Sequence, residues 1–365
     1  MKKIFLALAA VAALAACSKV EAEYTSSDEI AFAPVASNRT KTMLSETTTF
    51  PDENFNLWAF YKQVDPGTNI AGWQASDAAQ QTYVEEKTFV KKSNGLWHGE
   101  TSYYWPKLGS LMFVGYYPTS IAGQVNYTFT KDVNKMTIVN YVPGFVTTNT
   151  THEEDLMYFN MTPASYRNTD VPVTFRHALS WIQVVLAKDA DTSGDATITV
   201  NSAEFVGVSP FGNAVVNNSP DTAADETNEI QWTAWGETKN VVVTEDAGHV
   251  LVPNNTTPLE KQPLFIPQGM TSLLVTYTIA SEDGSKFTET KDIPLANIIT
   301  DHNSWKPGRK YVYTVTIGTR EIYIKPSVVD WATVEVPVND FNQYDQYPQP
   351  DNNGGGENGE NGENA

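Results

Sequence analysis

The chain has 365 residues, 41% of them hydrophobic and 12% aromatic, and a formal net charge of −19. That length and apolar content suit folded cores, set intrinsic disorder aside, and leave room for two domains of ordinary size. With 24 Lys and Arg against 43 Asp and Glu, no basic patch is available to reward counterion release, so nucleic acid is excluded as a partner.

Residues 1–16 read as an export signal. Lys2 and Lys3 make a positive start, residues 4–13 are apolar but too short to span a bilayer, and Leu14-Ala15-Ala16 supplies small residues before a cleavage point. The next residue, Cys17, is the single cysteine of the chain. The string Leu14-Ala15-Ala16-Cys17 looks like a bacterial lipoprotein lipobox, in which the thiol accepts a lipid before the signal is cut. It predicts a mature chain that begins at lipidated Cys17 and is attached to the outer membrane. With that thiol used as an anchor, no disulfide remains for the exported part, and stability has to come from packed cores. Losing Lys2 and Lys3 leaves the mature chain still more acidic, so acyl chains rather than charge hold it to a membrane. Residues 17–28 are short and polar and read as a tether.

From residue 29 onward come short alternating or apolar runs rich in Val, Ile, Thr, Tyr and Phe, separated by Gly, Pro, Asn and Asp clusters. Runs at 56–62, 110–117, 125–129, 173–186, 196–208, 272–280 and 310–317 predict strands. No segment holds a helical period over three turns. Residues 76–81 are too short and polar for a core helix, and 294–299 suffice for one turn. The expectation is an all-β fold with two β-sandwich domains, 29–170 and 171–338, divided at the polar stretch 166–170. Asp283-Gly284, between the runs 276–280 and 287–290, predicts a hairpin turn. Near the carboxy end Val334, Val336 and Val338 alternate with other residues, and Pro337, which has no N–H to give, puts this run at a sheet edge or leaves it unpaired on one side in its own subunit. Residues 339–365, ending in repeated Gly, Asn and Glu, read as a flexible tail.

Catalytic chemistry is sparse. His98, His152, His177, His249 and His302 show no short ligand spacing, so no metal or cofactor site is predicted. His152 with Glu153, Glu154 and Asp155 reads as a solvated acidic loop. Ser180 lies near His177 without a G-x-S-x-G elbow, and a non-enzymatic protein is expected. Trp73, Trp97, Trp232 and Trp235 lie near polar turns. Such residues mostly cap sandwich cores, but exposed ones stack on sugars, which keeps a cell-surface glycan-binding lipoprotein using exposed Trp and Tyr as the alternative.

Several strings, in order and behind the lipobox, resemble the fimbrillin family of Bacteroidetes-type bacteria. They are Glu29-Ile30-Ala31-Phe32-Ala33-Pro34 with Arg39-Thr40-Lys41; Tyr103-Tyr104-Trp105-Pro106 with Phe113-Val114-Gly115-Tyr116-Tyr117-Pro118; Asp155-Leu156-Met157-Tyr158; Phe175-Arg176-His177-Ala178-Leu179; Trp305-Lys306-Pro307-Gly308 before Tyr311-Val312-Tyr313-Thr314-Val315; and Val329-Asp330-Trp331. The resemblance spans nearly the whole mature chain. It implies two tandem transthyretin-like β-sandwich domains and a structural subunit, whether stalk, tip or accessory, of a cell-surface pilus or fimbria. It also implies that a trypsin-like maturation protease removes the first strand, here residues 29–36, with Arg39 the best-placed basic residue and Lys41 close by. The vacated groove then takes a strand donated by another subunit, for which Val334, Val336 and Val338 are the candidates. The partners implied are other pilus subunits, the protease, the outer membrane through the precursor's lipid, and a host or bacterial surface ligand, and the implied final location is the fimbrium. For His177 it implies a structural role, with ring nitrogens satisfied by neighbouring backbone. The chain departs from the family pattern in continuing well past Val338.

Overall fold

Runs of β-branched and aromatic residues broken by turn formers fold as strands throughout the computed structural model. It describes residues 29–36, 50–62, 81–106, 110–129, 134–143, 154–165, 170–189, 196–217, 230–244, 248–253, 255–296, 303–318 and 322–330. In chain order the strands are β1 (Phe32–Ala36), β2 (Phe55–Lys62), β3 (Gln81–Lys91), β4 (Trp97–Gly99), β5 (Ser110–Tyr117), β6 (Val125–Phe129), β7 (Asn134–Tyr141), β8 (Met157–Ser165) and β9 (Val171–His177). They continue as β10 (Ser180–Lys188), β11 (Thr197–Val208), β12 (Phe211–Asn217), β13 (Ile230–Trp235), β14 (Lys239–Val242), β15 (His249–Val250) and β16 (Thr256–Pro258). The last are β17 (Leu264–Phe265), β18 (Ser272–Ala280), β19 (Lys286–Pro294), β20 (Arg309–Ile317) and β21 (Ile322–Asp330). A 3₁₀ turn, Thr119–Gln124, links β5 to β6. The fold is thus all-β, as the sequence predicts.

Seven strands close a barrel in the order β1-β4-β3-β2-β5-β8-β9. β5 is buried at every position and β2 at all but its last two. Such continuous burial means that both faces are covered. Leu57, Ala59, Leu111 and Phe113 point into the barrel, while Trp58, Phe60, Met112 and Val114 join a second core outside it.

That second core is roofed by a four-stranded antiparallel sheet, β13-β12-β7-β6. The β6–β7 hairpin is inserted between barrel strands β5 and β8, and the β12–β13 hairpin between β11 and β14. The two hairpins meet at a β7–β12 ladder that runs from Lys135↔Asn217 to Tyr141↔Gly212. Strands from either side of residue 170 therefore share one sheet and one core.

The remaining strands make two more sheets. One has the order β16-β10-β20-β21 with β17 beside β10, and the other β14-β11-β18-β19 with β15 beside β11. Their inner residues, among them Ile182, Val200, Phe205, Val275 and Tyr313, share a third core, which Trp305 joins from the loop before β20. The β18–β19 hairpin turns at Asp283-Gly284, as predicted: Gly284 has φ +83°, and the Ser285 N–H donates to Asp283 Oδ1 at 2.9 Å. Of the helix candidates, Gln81 opens β3 and Pro294 closes β19.

β9 follows directly after Asp170 but lies in the barrel wall. Its alternation buries Val171, Val173 and Phe175 against the barrel interior, and the chain passes to the third core only with β10.

Candidate functional site

The segment from Ile30 to Pro34 is apolar at every position, so it is stable only where most of it is covered. Ile30, Ala31, Phe32 and Pro34 are all buried. Phe32 has no exposed surface, and its ring meets those of Phe113, Phe89 and Phe55 edge-on at centroid distances of 4.9, 5.2 and 6.0 Å. Phe50 enters the same cluster, stacked on Phe175 at 4.4 Å. At about 1.5–3 kcal/mol for each large side chain, Ile30 and Phe32 together contribute about 3–6 kcal/mol.

Main-chain bonding ties this segment to one neighbour above all. β1 runs parallel to β9 through five pairs, Phe32↔Val171 to Ala36↔Phe175. The Val171 N–H donates to Ala31 O at 2.8 Å. On its other side β1 meets β4 at Phe32↔Trp97. Just upstream, the Ile30 N–H donates to Tyr103 O at 2.8 Å, and the Glu29 carboxylate lies 3.4 Å from His98 Nδ1. β9 pairs with β8 only at Met157↔His177 and Tyr158↔Arg176 among the described residues. β1 is thus the principal ladder partner of β9. It occupies a slot with aromatic rings as its floor and a strand edge as its wall.

The far end of β9 is pinned by buried polar contacts. His177 Nδ1 lies 2.6 Å from Asp155 Oδ2, and the Ala178 N–H donates to Leu156 O at 2.8 Å. Two expectations are corrected here. Asp155 is not part of a solvated loop, because the buried Leu156 and Met157 that follow it draw it inward. At Nδ1 the partner of His177 is a carboxylate rather than backbone, which supplies the partner that a buried acid requires. Glu154 is exposed and accepts the Ser120 hydroxyl at 3.0 Å, while His152 and Glu153 lie outside the described residues. Burial, followed by the negative charges of Glu154, Glu53 and Asp155, pushes the nearby Tyr117 phenol up.

The other residues singled out from sequence are distributed as follows. Cys17, Arg39, Lys41, Val334, Val336 and Val338 lie outside the described residues, as do Trp73 and His302. Trp97 is buried in the barrel, its Nε1–H donating to Glu53 O at 2.7 Å. Trp232 is half-buried and donates to Ala178 O at 2.8 Å, whereas Trp235 is exposed. No group of three or more His, Cys, Asp or Glu able to hold a metal occurs among the described residues. Sequence reasoning missed β9 as the wall of the slot. Its alternating Val171, Val173 and Phe175 were a legible strand signal, but nothing local names the strand they pair with.

A model of the fimbrillin-like family matches residues 59–331. A fimbrial protein from Bacteroides vulgatus is 17% identical with a TM-score of 0.52, over 83% of this chain and 99% of that one, a likeness that shows a shared fold. A Bacteroides uniformis protein assigned to cell adhesion is 16% identical with a TM-score of 0.47, over 85% of this chain and 100% of that one. The tip fimbrial protein Mfa3 from Porphyromonas gingivalis, with a C-terminal truncation, is 11% identical with a TM-score of 0.32, over 76% of this chain and 94% of that one. A comparison with curated protein sequences found no match. With the family model spanning well over half of its length, this chain belongs to the fimbrillin-like family.

Proposed function

We propose that the protein is a structural pilus subunit that reaches the outer membrane as a lipoprotein on Cys17 and enters the filament by exchanging its first strand. The observation that carries this reading is the seating of β1, a short strand with a fully buried Phe32 and one principal ladder partner. In the proposal a trypsin-like protease cuts after Arg39, and the segment from Cys17 through β1 departs together with its lipid. The slot then takes Val334, Val336 and Val338 from another subunit. Alternate side chains recur about every 6.8 Å along a strand, and Ile30, Phe32 and Pro34 occupy the slot at that same two-residue period. The newcomer remakes the main-chain bonds that β9 shared with β1, so the exchange costs little in hydrogen bonding, and the side chains decide the fit. One cut both frees the anchor and opens the slot, which makes the lipid a transport handle.

The test starts from purified chain lacking the signal and treats it with a trypsin-like protease. Mass spectrometry should find a cut after Arg39, followed by oligomers that resist SDS in the cold. Deleting residues 333–365 should leave the cut intact and abolish the oligomers. Trimming that never changes the oligomeric state, or assembly that survives the deletion, refutes strand exchange.

A further inference from the structure

Strands β6, β7, β12 and β13 contain none of the 43 Asp and Glu of this acidic chain and a single basic residue, Lys135. Other surface strands are charged: β3 carries Glu85, Glu86 and Lys87, and β19 carries Glu289, Lys291 and Asp292. One face of the four-stranded sheet is spent on the second core. The opposite face is a nearly uncharged array of amides and hydroxyls with one large aromatic surface.

That surface is Trp235, 42% exposed at the end of β13. Its ring stacks on Phe211 at 4.7 Å and 22°, so one indole face is supported from below and the other faces solvent. Gly236, at φ +98°, permits the stack, because a Cβ there would lie 2.6 Å from Phe211 Cδ2. Two residues along the ladder, Asn213 stands opposite Thr233, and Gln231 follows on the same face. Asn213 is oriented by the bulge at which β7 slips against β12. There Asn140 adopts φ +54° and donates its N–H to Asn213 Oδ1 at 2.8 Å. This fixes the carboxamide through its oxygen and leaves its NH₂ as a donor.

The chemistry of the face selects its occupant. Without cations in number it offers nothing to an anionic polymer. Its exposed large hydrophobics, Val139 and Trp235, are too few to drive docking of a protein. A neutral sugar chain meets both conditions: the C–H face of a pyranose ring covers an indole, and its hydroxyls exchange hydrogen bonds with amides and hydroxyls. We propose that this face binds a neutral oligosaccharide along β13, with Trp235 as the stacking platform and Asn213 and Thr233 as hydrogen-bonding groups. From Gln231 to Trp235 the rail measures about 14 Å, the length of a short oligosaccharide. The site lies apart from the β1 slot, so it stands or falls independently of strand exchange.

The test applies the signal-free chain to an array of immobilised neutral, sialylated and sulfated glycans. Retention should fall on neutral glycans, weaken at least tenfold in Trp235→Ala and in Asn213→Ala, and return largely in Trp235→Phe, with unchanged circular dichroism in all three. Absence of retention on every neutral glycan, equal retention on sulfated ones, or wild-type retention by a folded Trp235→Ala each overturns the proposal. A dimer in sedimentation that Trp235→Ala abolishes would assign the face to a second copy of the chain and overturn it too.

Discussion

Phe32→Ala tests whether β1 is packed into the barrel rather than laid against it. Phe→Ala in a core costs about 3–5 kcal/mol, the cost rising with the cavity left behind. Phe32 is fully buried, with three edge-on rings within 6.0 Å. That places the loss toward the upper end, at about 4–5 kcal/mol. A double-mutant cycle with Phe113→Ala, the nearest ring at 4.9 Å, should return a coupling of about 0.5–1.5 kcal/mol. Three cores need not unfold in one step, so the readout is hydrogen exchange of β2 and β5 amides in the uncleaved chain. Phe287→Ala, at a residue 59% exposed on β19, is the control and should stay within about 0.5 kcal/mol. A loss below about 1 kcal/mol at Phe32, or no coupling to Phe113, would mean that β1 is not seated among these rings. Removing the strand would then open no slot.

Asp155→Ala leaves the buried His177 ring without its hydrogen-bond partner and should cost about 1–3 kcal/mol in denaturant unfolding, whereas exposed Glu154→Ala should be within about 0.5 kcal/mol. Equal effects would remove the pin at the end of β9. Burial first, and then the hydrogen bond to Glu289, pushes the Tyr277 phenol from 10.0 up to about 12. The native state therefore holds this proton more tightly than the unfolded chain, so its stabilising effect is complete below pH 10 and fades as the pH climbs toward 12. Ultraviolet titration should show one late-ionising phenol fewer in Tyr277→Phe, and an unchanged curve would contradict the assignment. Gly115→Ala would set a Cβ 2.6 Å from Asn56 O and against the Phe159 ring. Such overpacking should lower stability by about 1–3 kcal/mol, seen as a lower melting temperature.

What could be read from the sequence was local. The runs at 56–62 and 110–117 became β2 and β5, and Asp283-Gly284 became the β18–β19 turn, because strand composition and turn chemistry act over a few neighbouring residues. Pairing between distant segments was not legible. Nothing within residues 171–175 names Phe32 to Ala36 as their parallel partner, and two separately inserted hairpins give no sign that β7 will meet β12. Side-chain environment was likewise hidden where one tertiary partner decides it. Asp155 reads as solvated until His177 stands beside it, and Trp97, close to a polar turn, is enclosed by the barrel. At the candidate site the first strand was visible as an apolar run, whereas its wall, β9, required the topology.

The shared four-stranded sheet also governs when the molecule can acquire its shape. A polypeptide emerges amino end first, yet β7 has no partner in β12 until the chain has passed residue 211, and β1 waits for β9 to emerge. Loops that long make pairing slow. In the interval the apolar stretch beginning at Ile30 is open to wrong associations. Substitutions in β9, β12 or β13 therefore weigh on the yield of correctly folded chains as well as on the endurance of the finished product. A variant whose melting temperature is unchanged can still accumulate poorly, because its difficulty lies in time and not in the final balance of energies.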